Sequence, residues 1–284
     1  MRVGLLSSDK FIGICKDNIL LEKRYKEHGI DVSEVTWETE DTVKAYDRII
    51  VRSTWGYQRN YKQYLKKLAQ LSGSSVLLNS YNTIKNNIYK ENQFEELSRK
   101  QIPCISTKIF DRNQFDVGIN YVKRELAKGK RVVLKPNISA SGQDTILIDK
   151  HASSEKILSY FVSQFSVNKK VMIQDYISDV KNGEISMIYF SGTFSHSVLR
   201  YPGIFSDKKE TIEIETSDKF VQWCNGVVEK LNLSDELYAR IDIVITKEGP
   251  LIMEIELNEP DLFFRKIHDP EMVMDNFVVK SIGM

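Results

Sequence analysis

Residues 238–260 of this 284-residue chain read YARIDIVITKEGPLIMEIELNEP, and this stretch decides the fold. Two apolar runs, 241–246 and 251–257, flank the segment Lys247-Glu-Gly-Pro250. Apolar runs of this length separated by a glycine-containing turn are typical of a β-hairpin. We therefore expect two antiparallel strands near the C-terminal end of the chain.

One face of this hairpin is predicted to carry several carboxylates. Successive strand residues point to opposite faces, so Glu254, Glu256 and Asn258 should point the same way. Asp242 can join them from the adjoining strand, where Arg240 shares its face. Clustered carboxylates are unfavourable unless cations lie between them, and a few carboxylate oxygens suit Mg²⁺. The alternative is a solvent-exposed acidic edge strand, against which the apolar flanking residues argue.

A lysine ends another apolar strand in the stretch Val132-Val-Leu-Lys-Pro-Asn-Ile-Ser-Ala-Ser-Gly142. Lys135 offers a compact positive charge to a phosphate, and the small residues after it let backbone N–H groups approach phosphate oxygens. The stretch is neither a Walker loop nor a GxGxxG motif. It predicts a phosphate site, with an ordinary surface turn as the alternative.

A third stretch, Val171-Met-Ile-Gln-Asp-Tyr-Ile177 followed by Gly183-Glu184, reads as a buried strand running into a short connection. Free backbone groups at such a connection can hydrogen-bond the edge of an adenine ring. The carboxylate of Glu184 or Asp179 could accept hydrogen bonds from ribose hydroxyls. An ordinary strand and turn is the alternative interpretation.

The strand and helix pattern changes along the chain. Strands near 2–7, 30–35, 47–52 and 76–79 alternate with helices, which predicts an α/β N-terminal lobe with a parallel, doubly wound sheet. From about 105 onward strands dominate, with helices near 155–165 and 217–231, which predicts α+β lobes with mixed or antiparallel sheets. We expect an N-terminal domain over 1–85, a lid lobe over 86–175 and a C-terminal lobe with the metal site over 176–284.

Composition excludes several other classes of protein. Forty basic residues balance thirty-nine acidic ones, so the net charge does not indicate binding to nucleic acid or to an anionic membrane. Three scattered cysteines and four histidines give no zinc pattern. The N-terminus lacks a signal-peptide pattern, and we expect a soluble, cytoplasmic protein with reduced thiols. His196, in an alternating strand, is interpreted as a structural histidine.

The order of phosphate lysine, adenine strand and carboxylate hairpin resembles the ATP-grasp family, best across 76–264. Three stretches, 52–57, 192–197 and 254–260, resemble its glutathione synthetase-like branch that contains a D-cycloserine-forming cyclo-ligase. The resemblance implies ATP and Mg²⁺ as cofactors, with two metal ions expected. It also implies a role for each matching residue: catalysis by Arg240, Arg200 and Lys135; nucleotide binding by Lys90, Lys135, Ser141, Gly142, Gln174, Asp175, Tyr176, Ile177, Glu184 and Arg200; metal binding by Asp242, Glu254 and Glu256; and substrate binding by Arg52, Ser53, Trp55, Tyr57 and Asn258.

The sequence departs from this branch at one place. The branch usually carries a Gly-Asp-Phe-Arg-like segment after the strand that contains the histidine, and its arginine is expected to hold a carboxylate. The corresponding stretch here, 205–211, contains no arginine. The contact is therefore either absent or supplied by Lys208 or Lys209.

The resemblance implies a carboxylate–amine or cyclising ligase that forms an acyl phosphate on a small amino-acid-like or peptide substrate. Small-molecule carboxylates and amines are then the partners, and a homodimer is common in the family. Two other functions stay open at this point: a non-catalytic nucleotide-binding regulator that keeps the ATP cleft, and a small-molecule kinase that stops after phosphate transfer.

Overall fold

The computed structural model describes residues 1–39, 46–140, 142–201 and 210–284. The N-terminal lobe contains a four-stranded parallel sheet in the order β2-β1-β3-β4. The elements of this lobe are β1 (Arg2–Ser7), α1 (Lys16–Glu27), β2 (Asp31–Thr36), β3 (Arg48–Val51), α2 (Tyr61–Ser72) and β4 (Val76–Leu78). The parallel sheet predicted from alternating strands and helices is confirmed.

Two short helices follow β4. They are α3 (Tyr81–Ile88) and α4 (Lys90–Arg99), and the extended backbone of Tyr89 separates them. Ser80 caps α3 by accepting a hydrogen bond from the backbone N–H of Thr83. The break at Tyr89 makes Lys90 the first residue of a new helix.

The middle lobe is a four-stranded antiparallel sheet in the order β5-β8-β6-β7, with two helices packed on it. Its elements are β5 (Thr107–Phe110), α5 (Phe115–Ala127), β6 (Val132–Pro136), β7 (Ile146–Ile148), α6 (Ser154–Ser166) and β8 (Val171–Asp175). The sequence did not predict α5. An ideal Cβ on Gly118 of α5 would lie 2.5 Å from the buried ring of Phe161, so this glycine allows α5 and α6 to pack closely.

The C-terminal lobe is a five-stranded antiparallel sheet in the order β11-β10-β9-β12-β13. Its elements are β9 (Glu184–Phe190), β10 (Thr193–Arg200), β11 (Thr211–Glu213), α7 (Asp218–Leu231), β12 (Tyr238–Thr246), β13 (Gly249–Glu256) and α8 (Pro270–Gly283). The hairpin predicted from residues 247–250 is confirmed, and Ser191-Gly192 joins β9 and β10 in a second hairpin. The sequence did not predict α8, which packs against the N-terminal lobe through α1.

The C-terminal hairpin is attached directly to the N-terminal sheet. The buried side chain of Asn79, just after β4, donates hydrogen bonds to the carbonyls of Tyr238 and Leu257, both at 2.8 Å. Its amide oxygen accepts a bond from the Tyr238 backbone N–H at 3.1 Å. The start of β12 and the chain after β13 are thus held against the end of the parallel sheet. In the part of the chain described here, no helix is long and apolar enough to cross a bilayer.

The packing at Gly118 predicts opposite effects for two glycine-to-alanine changes in helices. Gly226 in α7 has open space around it, so Gly226→Ala should be neutral or stabilise by up to about 1 kcal/mol through helix propensity. Gly118→Ala gains the same propensity but forces Phe161 to move, which costs roughly 1–3 kcal/mol. Urea unfolding should show Gly118→Ala less stable than Gly226→Ala. Equal stability of the two variants would contradict the close packing of α5 on α6.

Candidate active site

Strand register places the predicted acidic residues on one face of the last hairpin. Asp242 lies opposite Glu254, and Arg240 lies opposite Glu256. Directly opposed residues of an antiparallel pair project to the same side of the sheet. The apolar residues between them, Ile241 and Ile255, are buried in the opposite layer. The alternation in the sequence therefore gives a single acidic and basic face.

Buried charges on this face neutralise one another. The Arg240 guanidinium contacts Asp242 at 3.0 Å and Glu256 at 2.5 Å. Arg200, at the end of β10, contacts Asp242 at 2.5 Å and Glu184 at 3.1 Å. Ser186 donates a hydrogen bond to Asp242 at 2.6 Å. Burial opposes ionisation of Asp242, but the two arginines outweigh it and hold its pKa at about 2.

Two lysines complete the face from other lobes. Lys90, the first residue of α4, forms an ion pair with Glu254, and Lys135 of β6 lies 4.0 Å from the same carboxylate. Burial lowers the pKa of Lys90. Burial, and then the charge of Lys90, lower the pKa of Lys135 to about 7. Two buried ammonium groups that share one carboxylate form a site that an additional anion would stabilise.

The position of Lys90 follows from how the edge of β13 is covered. The amide side chain of Asn87 donates to the carbonyl of Ile255 at 2.8 Å and accepts from the N–H of Leu257 at 2.9 Å. Gln93, one turn into α4, donates to the carbonyl of Ile255 and accepts from the N–H of the same residue at 3.2 Å. These amides satisfy backbone groups that an edge strand would otherwise leave open. They bracket Lys90 in sequence and hold it beside Glu254.

All these charged side chains line one cavity of about 860 Å³. Of the residues predicted for nucleotide, metal or substrate, those that line it are Trp55, Tyr57, Lys90, Lys135, Gly142, Gln174, Asp175, Tyr176, Ile177, Glu184, Arg200, Arg240, Asp242, Glu254 and Glu256. The segment Gln174–Ile177 forms one end of the cavity with Val133, and the ring of Tyr176 stacks against the Arg131 guanidinium at 4.0 Å. Ser141, Lys208 and Lys209 lie outside the described residues.

Three predicted substrate residues are not among those lining the cavity. Arg52 is buried, and its guanidinium contacts the carbonyl of Pro260 at 3.4 Å. Ser53 is hydrogen-bonded to Ser7 at 2.6 Å, and the amide oxygen of Asn258 accepts a bond from Tyr64 at 2.8 Å. Asn258 follows the last strand residue, so strand alternation no longer sets its direction. Arg52 and Asn258 therefore join the N-terminal lobe to the C-terminal hairpin and the chain after it, whereas Ser53 is bonded within the N-terminal lobe.

The cavity also includes residues that the sequence did not single out: Phe11, Glu259, Asp261, Phe263 and Arg265. Burial, and then the neighbouring Glu256, raise the pKa of Glu259 to about 8. Glu259 belongs to the acidic stretch at the end of the hairpin, but it comes after the regular strand, where alternation gives no information. Phe11 and Arg265 come from irregular segments, so no periodic pattern could have identified them.

The three carboxylates of this face suit Mg²⁺ if the metal binds together with a phosphate. Asp242, Glu254 and Glu256 offer hard oxygen ligands on one face. Yet no three acidic, histidine or cysteine side chains among the described residues already form a metal cage, since cationic side chains lie between the carboxylates. Mg²⁺ commonly binds one or two carboxylates together with substrate phosphates rather than an all-protein cage. The three carboxylates therefore suit a metal that arrives with a phosphate ligand.

Two parts of the chain match models of known protein families. Residues 117–264 match the model of the prokaryotic glutathione synthetase ATP-grasp domain, which is more than half of the chain. This chain belongs to the ATP-grasp family. Residues 3–79 of this ATP-grasp protein match the N-terminal domain of D-cycloserine synthetase DcsG. No curated protein sequence matches the chain.

Solved structures of ATP-grasp ligases share the fold over nearly the whole length. D-cycloserine synthetase DcsG superposes with a TM-score of 0.87 at 16% identity, covering 99% of both chains. A RimK domain ATP-grasp protein from Sphaerobacter thermophilus superposes with a TM-score of 0.73 at 17% identity, covering 98% of this chain and 100% of that one. D-alanine–D-alanine ligase from Bacillus anthracis, complexed with ATP, superposes with a TM-score of 0.70 at 16% identity, covering 100% of this chain and 97% of that one.

His196 lies away from this cavity, on a separate surface groove. Its ring Nε2 donates to the carbonyl of Leu262 at 2.8 Å, and Nδ1 lies 3.0 Å from the Ser195 hydroxyl. Burial lowers its pKa below the ordinary 6.5. These contacts support the interpretation of His196 as a structural histidine.

The lowered pKa of His196 predicts a pH effect on stability. The unfolded chain binds a proton at this residue below about pH 6.5, whereas the folded protein resists it, so folding stability falls as pH drops from about 7 to 5. A His196→Gln variant should lose less stability than the wild type over this range and keep its turnover. Urea unfolding at each pH measures the difference. Parallel pH profiles for the two proteins would contradict a buried neutral histidine.

Proposed function

We propose that this protein is an ATP- and Mg²⁺-dependent ligase that activates a carboxylate as an acyl phosphate and transfers the acyl group to an amine. One observation carries the proposal: two lysines, two arginines and three carboxylates from the middle sheet, the C-terminal sheet and the start of α4 converge on one cavity. Such an arrangement supplies positive charge for a triphosphate and oxygen ligands for its metal. Phosphoryl transfer needs mainly positioning and charge stabilisation, so no enzyme nucleophile is required.

The nucleotide is proposed to lie between the middle and C-terminal sheets. Adenine would lie beside Gln174–Ile177, with Glu184 near the ribose. The phosphates would reach Lys90, Lys135 and Arg200, which now pair with carboxylates. Binding of a triphosphate would replace carboxylate–lysine contacts by phosphate–lysine contacts and release Glu254 toward a metal ion.

The metal ion and the protein side chains would have separate roles in this reaction. Mg²⁺ supplies Lewis-acid neutralisation of the charge on the transferred phosphoryl group and on the departing ADP. Asp242, Glu254 and Glu256 would hold it. Lys135 and Lys90 would hold the phosphates in line with the attacking carboxylate. Arg200, already oriented by Glu184, would neutralise the terminal phosphate.

The second step is acyl transfer to the nucleophile. Attack of an amine on the acyl phosphate gives a tetrahedral oxyanion, which then expels phosphate. Arg240 lies in the wall of the cavity, fixed by Asp242 and Glu256, and is the side chain we assign to the oxyanion. The middle lobe, with its loop after Pro136, would close over the site and keep water from the acyl phosphate.

The similar proteins support a small acceptor or carboxylate. Their titles name D-cycloserine synthetase, D-alanine–D-alanine ligase, and the ligase PsnB complexed with a precursor peptide. We propose an amino-acid-like or peptide substrate for this protein on that basis.

The metal assignment predicts the behaviour of Glu254→Gln. The change keeps the size of the side chain but removes a metal-binding charge, so ADP release should fall by about two orders of magnitude or more. Glu248→Gln, in the exposed turn of the same hairpin, is the control and should keep full activity. Amino acids would be screened as carboxylates, with hydroxylamine as a nucleophile that converts an acyl phosphate to a hydroxamate.

Hydroxylamine separates the three candidate functions. A ligase releases ADP and forms a hydroxamate, a kinase releases ADP without a hydroxamate, and a regulator releases no ADP. Unchanged ADP release by Glu254→Gln would contradict the metal role of this carboxylate.

The phosphate assignment predicts the effect of Lys135→Met. Loss of a buried charge-assisted contact should weaken binding of a non-hydrolysable ATP analogue with Mg²⁺ by roughly ten- to a hundred-fold. Lys123→Met, at an exposed lysine of α5, is the matched control and should bind normally. Isothermal titration calorimetry measures both affinities. Equal affinity of the two variants would exclude Lys135 from the phosphate site.

A further inference from the structure

One end of the cavity is not used by the proposed nucleotide or its metal. Residues from the N-terminal lobe and from the chain after β13 meet there: Phe11, Trp55, Glu259, Asp261, Phe263 and Arg265. The indole N–H of Trp55 donates to the backbone carbonyl of Glu259 at 3.2 Å. The rings of Phe11 and Trp55 pack edge to face, with centroids 5.1 Å apart. This end of the cavity is therefore a built pocket that joins the two lobes.

The cations near this pocket are already engaged. Arg265 contacts Asp261 at 2.6 Å and Asp17 at 2.9 Å, so one guanidinium faces two carboxylates. Arg240 likewise contacts two carboxylates, and Lys90 pairs with Glu254. The Lys10 ammonium lies 5.9 Å from the centre of the Phe11 ring, and the residue is exposed to solvent. None of these cations forms an ion pair with Glu259 among the described residues.

Glu259 is consequently a buried carboxyl group with no ion-pair partner among the described residues. Its side chain lines the cavity and the residue is only 7% exposed. Burial and the nearby Glu256 raise its pKa to about 8, so the group is largely protonated at neutral pH unless a cation lies beside it. An isolated buried carboxylate destabilises a fold. Such a group is retained where a ligand supplies the missing charge. Its neighbours Lys90 and Glu256 belong to the reacting centre, so that ligand would sit next to the acyl phosphate.

We propose that Glu259 and the aromatic side chains around it form the subsite for the ammonium group of the acceptor amine. The assignment rests on the proposed ligase function and deepens it by naming the charge of the acceptor. Glu259 supplies the counter-charge, and the rings of Trp55 and Tyr57 line the cavity with it. The bound ammonium gives one proton to the Glu259 carboxylate, and the free amine that results attacks the acyl carbon.

Two other occupants fit this pocket less well. A carboxylate would face Glu259 and Asp261, and the described cations there are already paired. A magnesium ion requires several oxygen ligands and holds its water tightly, whereas aromatic rings cover much of this pocket. Among the described residues, no three carboxylates that include Glu259 are close enough to hold a metal.

The experiment uses the full chain with Mg²⁺ and a non-hydrolysable ATP analogue. Saturation-transfer NMR measures binding of n-propylammonium and of its neutral analogue n-propanol to the wild type, Glu259→Gln and Glu248→Gln. The wild type and Glu248→Gln should bind n-propylammonium and not n-propanol. Glu259→Gln should bind n-propylammonium about ten-fold more weakly or worse, because a charged hydrogen bond is lost.

Two controls distinguish recognition from a structural or metal role. Glu259→Gln replaces a buried carboxyl group that has no ion pair by an uncharged amide of the same size, so its thermal midpoint should equal or exceed that of the wild type. Its affinity for the ATP analogue and its Mg²⁺ dependence should be unchanged. Absence of ammonium binding to the wild type, equal binding to Glu259→Gln, or a weakened Mg²⁺ dependence would each overturn the proposal. Failure of the ligase proposal would appear separately, as a wild type that releases no ADP.

Discussion

The structure depends on the mutual neutralisation of charges on the inner face of the last hairpin. Four cationic side chains and four carboxylates meet there, largely out of contact with water: Lys90, Lys135, Arg200 and Arg240 with Glu184, Asp242, Glu254 and Glu256. Removing one member leaves the remaining charges of this set unbalanced, which is unfavourable away from water. The same set of charges becomes a nucleotide site when phosphate and metal replace some of these internal contacts. Stability without nucleotide and affinity for nucleotide therefore arise from the same residues.

The charges of this set come from the middle sheet, the C-terminal sheet and the start of α4, and the N-terminal lobe holds the hairpin in place. The C-terminal sheet supplies the carboxylates and both arginines through the register of β9, β10, β12 and β13. The middle sheet supplies Lys135 on β6, and the break between α3 and α4 supplies Lys90. The N-terminal sheet holds the hairpin through Asn79 and contributes Trp55 to the far end of the cavity. No lobe contains the site by itself.

Regular periodicity explains what the sequence could predict. The alternation in β12 and β13 correctly placed Asp242 with Glu254, and the apolar strand that ends in a lysine pointed to Lys135, which lines the cavity. Arg200, which also lines it, was expected only from the family resemblance. Two helices were missed for identifiable reasons. Gly118 interrupts the helical pattern of α5, and α8 has apolar residues such as Met272 and Val279 on its outer face as well as on its buried one. Glu259 and Arg265 follow the last strand, where tertiary contacts alone set the direction of each side chain.

The account depends on phosphate and metal entering the cavity together, because its carboxylates are paired with cations when the cavity holds neither. Titration with Mn²⁺ in place of Mg²⁺, followed by electron paramagnetic resonance, tests this most directly. The account predicts weak Mn²⁺ binding to the protein alone, and binding at least about ten-fold tighter when a non-hydrolysable ATP analogue is present. Equally tight Mn²⁺ binding with and without the nucleotide, or no protein-bound Mn²⁺ in either case, would contradict it.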